Sequence, residues 1–170
     1  SAGNTINVLA DTDVKDNGTS GDDTINVAAL SITAGTTYAL GQGQDNITAT
    51  NGANISEING GAATTAEILN MADTVSMTVE QHTGFLNVVA AGGSDVVQLT
   101  NDGSVNADTD VETYATTNDS AGANTIVVNG HTTVNVTGDA GDAVTVDVGG
   151  STVTGTYTLA NGSDTISATT

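Results

Sequence analysis

The sequence predicts an all-β fold, a β-solenoid or β-roll-like stack of about eight irregular coils, with a β-sandwich as the alternative. Three observations point there. A short Gly/Asp/Ile pattern recurs along the chain, β-branched residues alternate in short runs, and proline is absent while aromatic residues are scarce.

The recurring pattern places Ile or Val two positions after an Asp or Asn, with a Gly usually just before. It reads Gly3-Asn4-Thr5-Ile6, Gly21-Asp22-Asp23-Thr24-Ile25, Gly43-Gln44-Asp45-Asn46-Ile47 and Ala72-Asp73-Thr74-Val75. It returns as Gly93-Ser94-Asp95-Val96-Val97, Gly122-Ala123-Asn124-Thr125-Ile126, Gly141-Asp142-Ala143-Val144 and Gly162-Ser163-Asp164-Thr165-Ile166. Successive Asp or Asn positions lie 19, 22, 28, 22, 29, 18 and 22 residues apart. A unit of that length buries little by itself and gains its core by stacking on its neighbours.

Strand signals follow the pattern. Thr5–Leu9, Thr24–Ala28, Asn46–Thr50, Thr74–Val79 and Val96–Thr100 are short, β-branched and bounded by Gly or Asn. Thr125–Asn129, Thr132–Thr137, Ala143–Val148, Thr152–Leu159 and Thr165–Thr169 continue the series. Two longer steps carry insertions over 51–70 and 101–120; Thr64–Leu69 reads as one helical turn or another strand. Thr37-Tyr38-Ala39-Leu40 with Gly43–Thr50 matches Thr156-Tyr157-Thr158-Leu159 with Gly162–Thr169 without a gap. Ala10-Asp11-Thr12-Asp13-Val14 recurs at Ala107-Asp108-Thr109-Asp110-Val111. No linker divides the chain, so residues 1–170 read as one repetitive domain.

Composition restricts function. With one Phe, three Tyr and no Trp among 170 residues, the core must be filled by Val, Ile, Leu and Ala, which suits narrow stacked coils. Lys15 is the only base against 20 acidic residues, for a formal net charge of −19. Phosphate-directed nucleic-acid binding and attraction to anionic lipid are thereby excluded. Calcium, which takes many oxygen ligands, is the cation such a surface favours. Without cysteine there are no disulfides, thiolate metal sites or Cys nucleophiles. No apolar run is long enough for membrane insertion.

The segments Gly41-Gln42-Gly43-Gln44-Asp45-Asn46-Ile47-Thr48 and Gly92-Gly93-Ser94-Asp95-Val96-Val97 resemble the nonapeptide of RTX (calcium-binding β-roll) proteins, in which Gly permits the turn, Asp offers oxygen to an ion and the aliphatic residue points inward. The copies here stand apart instead of in tandem. In that looser form they are similar to repeats of bacterial surface-layer proteins and large secreted adhesins. The resemblance implies Asp22, Asp23, Asp45, Asp95, Asp142 and Asp164 as calcium ligands. From the residues themselves, Asp11, Asp13 and Asp16 before Asn17-Gly18 form the best local metal loop. Asp108, Asp110 and Glu112 form the second, with period-two acids that would share one face of an extended strand. The bland reading of both is a solvated turn.

Catalysis finds no motif: His82 and His131 are the only histidines, and neither belongs to a metal or nucleophile signature. The expectation is a structural, self-assembling, extracellular protein of the bacterial cell surface, a surface-layer or filament subunit. Calcium orders it, and its partners are copies of itself, with cell-surface polysaccharide a further candidate. The alternatives are a noncatalytic calcium module of a secreted enzyme, an adhesin segment binding glycans, and, last, an ice-binding solenoid using Thr152, Thr154, Thr156 and Thr158.

Overall fold

A computed structural model describes residues 3–8, 15–17, 21–28, 37–39, 43–50, 52–56, 68–90, 92–117, 122–128, 135–138, 143–148, 156–159 and 163–167. In chain order the strands are β1 (Thr5–Val8), β2 (Lys15–Asn17), β3 (Thr24–Ala28), β4 (Thr37–Ala39), β5 (Asn46–Thr50), β6 (Ile68–Ala72) and β7 (Thr74–Met77). A short helix, α1 (Val79–Gly84), follows. Then come β8 (Asn87–Ala90), β9 (Val96–Leu99), β10 (Gly103–Asn106), β11 (Thr113–Thr116), β12 (Ala123–Val127), β13 (Asn135–Thr137), β14 (Ala143–Asp147), β15 (Tyr157–Thr158) and β16 (Thr165–Ser167).

Every pairing between these strands is parallel and joins strands from successive passes of the chain, so the fold is a β-solenoid. A sandwich of antiparallel sheets is ruled out. Three columns result: β1-β3-β5-β6-β8, β7-β9-β11-β13-β15 and β10-β12-β14-β16, with β2-β4 as a separate pair. The two longest columns hold five strands, and the solenoid makes about five turns, fewer than the eight coils expected. Asn4, Asp23 and Asp45 precede strands of the first column, Asp73 and Asp95 precede strands of the second, and Asn124 lies in the third. The pattern therefore marks a corner entering any of the three columns. In the third column Asn124 sits opposite Val144.

Register keeps like residues together. Ile6, Ile25, Ile47, Leu69 and Val88 form one inward row; Ile25, Ile47 and Leu69 are fully buried. Val75, Val97, Tyr114, Val136 and Tyr157 form the second, and Val105, Ile126 and Val146 the third, continued in register by Ile166, which is exposed. Alternating burial along β5, β9 and β14 is the period-two signature of a strand with one face in the core. Each buried Ile, Leu or Val contributes about 1.5–3 kcal/mol relative to exposure. A one-residue slip would turn a whole row outward, which is why register holds.

The region after β7 departs from expectation. Thr74–Val79 was expected to be all strand, but the strand stops at Met77 and α1 begins. Thr78 caps it: the Gln81 N–H donates to Thr78 Oγ1 at 3.2 Å and the Thr78 N–H donates to Gln81 Oε1 at 2.9 Å. Gln81 Nε2 also donates to the Ile55 carbonyl at 2.7 Å, tying the helix to the core. Of the ambiguous Thr64–Leu69 segment, Ile68 and Leu69 are strand and the rest lies outside the described residues.

Candidate functional site

Two groups of polar residues are built into the core, one legible in the repeat and one not. The first consists of the corner acids. Asp23, Asp45 and Asp95 point inward and are 2 %, 0 % and 2 % exposed, so burial and not solvation is their setting. Each carboxylate reaches across to a backbone N–H of the preceding coil. Asp23 Oδ1 accepts from Asn4 N–H at 2.6 Å, Asp45 Oδ1 from Asp23 N–H at 2.9 Å, and Asp95 Oδ1 from Asp73 N–H at 2.8 Å. Glu112 continues the last series by accepting from Asp95 N–H at 2.9 Å. At a corner the strand ladder is interrupted and its N–H groups would be orphaned; a short acceptor side chain satisfies them. The second oxygens of Asp23 and Asp95 are buried without a hydrogen-bond partner among the described residues.

Two glycines of the pattern, Gly3 and Gly43, belong to the same device. A Cβ at Gly3 would strike the Asp22 carbonyl, and one at Gly43 the Gly21 carbonyl, so stacked corners approach too closely for any side chain there.

The other predicted ligands are placed differently. Asp22 is exposed, and its Oδ1 accepts from Gln44 N–H at 2.9 Å. Asp164 is half-buried and accepts from Val144 N–H at 2.9 Å. Asp16 lies in β2, opposite Tyr38. Asp11, Asp13 and Asp142 lie outside the described residues, so the first metal loop is seen only at Asp16. The second loop is corrected. Residues 107–112 are a turn and not an extended strand, so its acids do not share a strand face. Asp108 closes that turn, its Oδ1 accepting from Asp110 N–H at 3.2 Å and its carbonyl from Val111 N–H at 3.3 Å. Among the described residues no three acids or histidines converge as a metal-holding group.

Replacing Asp45 by Ala is expected to cost about 1–3 kcal/mol, because the buried Asp23 N–H loses its acceptor. Asp45→Asn keeps an acceptor and removes the charge, and should cost less. Urea denaturation of the two variants checks the order.

The second group surrounds α1 and has no motif. His82 is buried, and its Nε2 lies 3.0 Å from Tyr114 Oη, with the rings edge to face at a centroid distance of 5.4 Å. Tyr114 Oη accepts from Asp108 N–H at 2.8 Å. The phenol proton is then directed to Nε2, which leaves the imidazole proton on Nδ1. Burial lowers the His82 pKa to about 4, against a smaller upward pull from the Asp108 carboxylate. Burial likewise raises the Tyr114 phenol. At neutral pH both are uncharged hydrogen-bonding groups, ill-suited to exchanging protons with a substrate. His82, Thr83, Phe85, Val88, Asn106, Ala107 and Asp108 line a partly open cavity of about 220 Å3 beside this pair.

His82 belongs to no sequence signature, and the structure buries it on a helix. The Thr78-x-x-Gln81 capping box is the one sequence signal that could have revealed the helix. Comparison with protein-family models, with curated proteins and with solved structures finds no match for this chain.

Proposed function

We propose that the chain is a noncatalytic structural segment of a secreted bacterial cell-surface protein, a β-solenoid that assembles with copies of itself and is ordered by calcium. The observation that carries this reading is the column of inward carboxylates at the corners of a parallel solenoid. Asp23 and Asp45 occupy equivalent corners of adjacent coils, just before the paired residues Thr24 and Asn46. Adjacent strands lie about 4.8 Å apart, so two buried carboxylates face each other at a spacing where like charges repel. The hydrogen bonds from the backbone offset part of that repulsion; a cation offsets more.

No three of the described acids converge in an oxygen cage, so calcium would act by bridging and screening carboxylates such as Asp23 and Asp45. The net charge of −19 works the same way on assembly, since copies repel until cations neutralise them. The solenoid itself supports a scaffold role: its side chains are spent on stacking rows, and the His82–Tyr114 pair is tied into the core.

Calcium titrated into EDTA-stripped protein is expected to raise the β signal, to raise the melting temperature, as a ligand of the folded state must, and to increase particle size. Far-UV circular dichroism, thermal melts and light scattering read the three quantities. Stability and size unchanged up to millimolar calcium would remove calcium from this reading and leave a calcium-independent scaffold.

A further inference from the structure

The fold leaves one polar atom of His82 unmet. Tyr114 engages Nε2, which puts the ring proton on Nδ1, and among the described residues none accepts it. His82 is only 6 % exposed, so bulk water does little for that N–H. The ring forms part of the cavity wall. Its Nε2 edge is turned to the fully buried Tyr114, so the opposite edge, which carries Nδ1, is the one left to meet the cavity. Buried polar groups ordinarily have a hydrogen-bond partner. A buried donor without one, in the wall of a hollow, calls for an occupant that brings an acceptor.

The rest of the wall narrows the chemistry. Asp108 supplies a carboxylate, close enough to His82 to act on its charge, so an acceptor stands beside the donor. Thr83 and Asn106, both exposed, add a hydroxyl and an amide. Phe85, the only Phe of the chain, makes an apolar side with Val88 and Ala107. An anion is repelled by Asp108 and by the net charge of −19. A cation meets the Nδ1–H donor, and a wholly apolar molecule leaves His82 and Asp108 without partners. An uncharged ring bearing hydroxyls satisfies every wall, since a hydroxyl both donates and accepts. A pyranose has such hydroxyls and a C–H face for the apolar side. The volume of about 220 Å3 lies below the roughly 300–1,000 Å3 of pockets for drug-sized ligands, so it takes one sugar ring. The cavity is partly open, which leaves a glycosidic bond free to run out to solvent.

We propose that the cavity between α1 and the turn at 107–112 binds one neutral hexose unit of a glycan. His82 Nδ1–H donates to a sugar oxygen, Asp108 accepts from a hydroxyl, and Phe85 and Val88 back the C–H face. The corner acids Asp23, Asp45 and Asp95 do not line the cavity, so binding is independent of calcium ordering.

The probes are the methyl glycosides of glucose, galactose and mannose, titrated into isotope-labelled protein in EDTA and followed by NMR. The methyl glycosides of glucuronic acid and glucosamine are the charged controls. At least one neutral hexoside is expected to bind with a dissociation constant of about 1 mM, about tenfold tighter than either charged control. The shifts should be confined to the cavity lining, and the His82 Nδ1 proton should exchange more slowly with water. Asn106→Ala, at an exposed position, should weaken binding severalfold with the melting temperature unchanged. Asp108→Asn keeps an acceptor for the Asp110 N–H and should erase the discrimination against the uronic acid. His82→Gln should weaken binding at least about tenfold; should it fail to fold, the Nδ1 proton of the parent protein decides alone. An oligosaccharide ending in the preferred hexose is expected to bind at least as well as the methyl glycoside, and binding of the single sugar alone would overturn a glycan as the source. No shift with any hexoside well above millimolar concentration would overturn the proposal. So would shifts outside the cavity, or binding that leaves the Nδ1 proton unchanged.

Discussion

Acidification from pH 7 to pH 4 is expected to remove about 3 kcal/mol of stability through His82 alone. The folded-state pKa is lowered to about 4 from the ordinary 6.5, because the imidazole is buried. Above pH 6.5 the ring is neutral in both states and contributes no pH dependence. As the pH falls below 6.5 the unfolded chain takes up a proton that the folded chain refuses, so unfolding is favoured by about 1.4 kcal/mol per pH unit until the folded ring also titrates near pH 4. Denaturant midpoints measured at half-unit steps read this slope. His82→Gln should flatten the profile between pH 6.5 and pH 4 relative to the parent. An unchanged profile would mean that His82 is not buried beside Tyr114. Tyr114→Phe should cost stability at all pH values, because it strips a partner from both His82 Nε2 and the Asp108 N–H.

Gly43→Ala is expected to be worse still, costing upward of about 3 kcal/mol. Two effects add. The φ of +155° at Gly43 is one that L side chains rarely adopt, and the new Cβ would collide with the Gly21 carbonyl of the coil below, a backbone atom with nowhere to move. Gly92→Ala is the control. It carries φ +81° with nothing within 4 Å, so it suffers the backbone strain alone, about 1–2 kcal/mol. The difference between the two variants in urea denaturation isolates the clash between stacked corners. Equal costs would mean that the corners do not stack as described.

Much of the solenoid was readable because its information is local and repeated. Thr24–Ala28 and Asn46–Thr50 are strands over the expected residues, since alternation of β-branched residues between Gly-bounded corners admits little else. The acids at the corners were also legible as residues of consequence, though Asp23, Asp45 and Asp95 act visibly as acceptors for orphaned backbone N–H groups. The strands β8, β10 and β11 passed unnoticed because Asn87–Ala90, Gly103–Asn106 and Thr113–Thr116 lack the Gly-Asp entry and are short. The match between Thr37–Thr50 and Thr156–Thr169 was real as sequence but said nothing about column. β4 and β5 fall in the β2-β4 pair and the first column, whereas β15 and β16 fall in the second and third.

The sequence by itself determined the parallel stack. Its recurring Gly-Asp-x-Ile corners fix where strands begin, and its apolar alternation fixes which face is buried; both depend on neighbours a few residues apart. Only the tertiary structure decided which corners share a column, that the first column runs from β1 to β8 among the described residues, and that His82 meets Tyr114 across 32 residues of chain. Those outcomes depend on a Thr-capped helix displacing a strand and on Tyr114 standing between Val97 and Val136 in its row, where its ring meets His82 of that helix. Such packing is a property of the assembled turns, and no window of the sequence contains it.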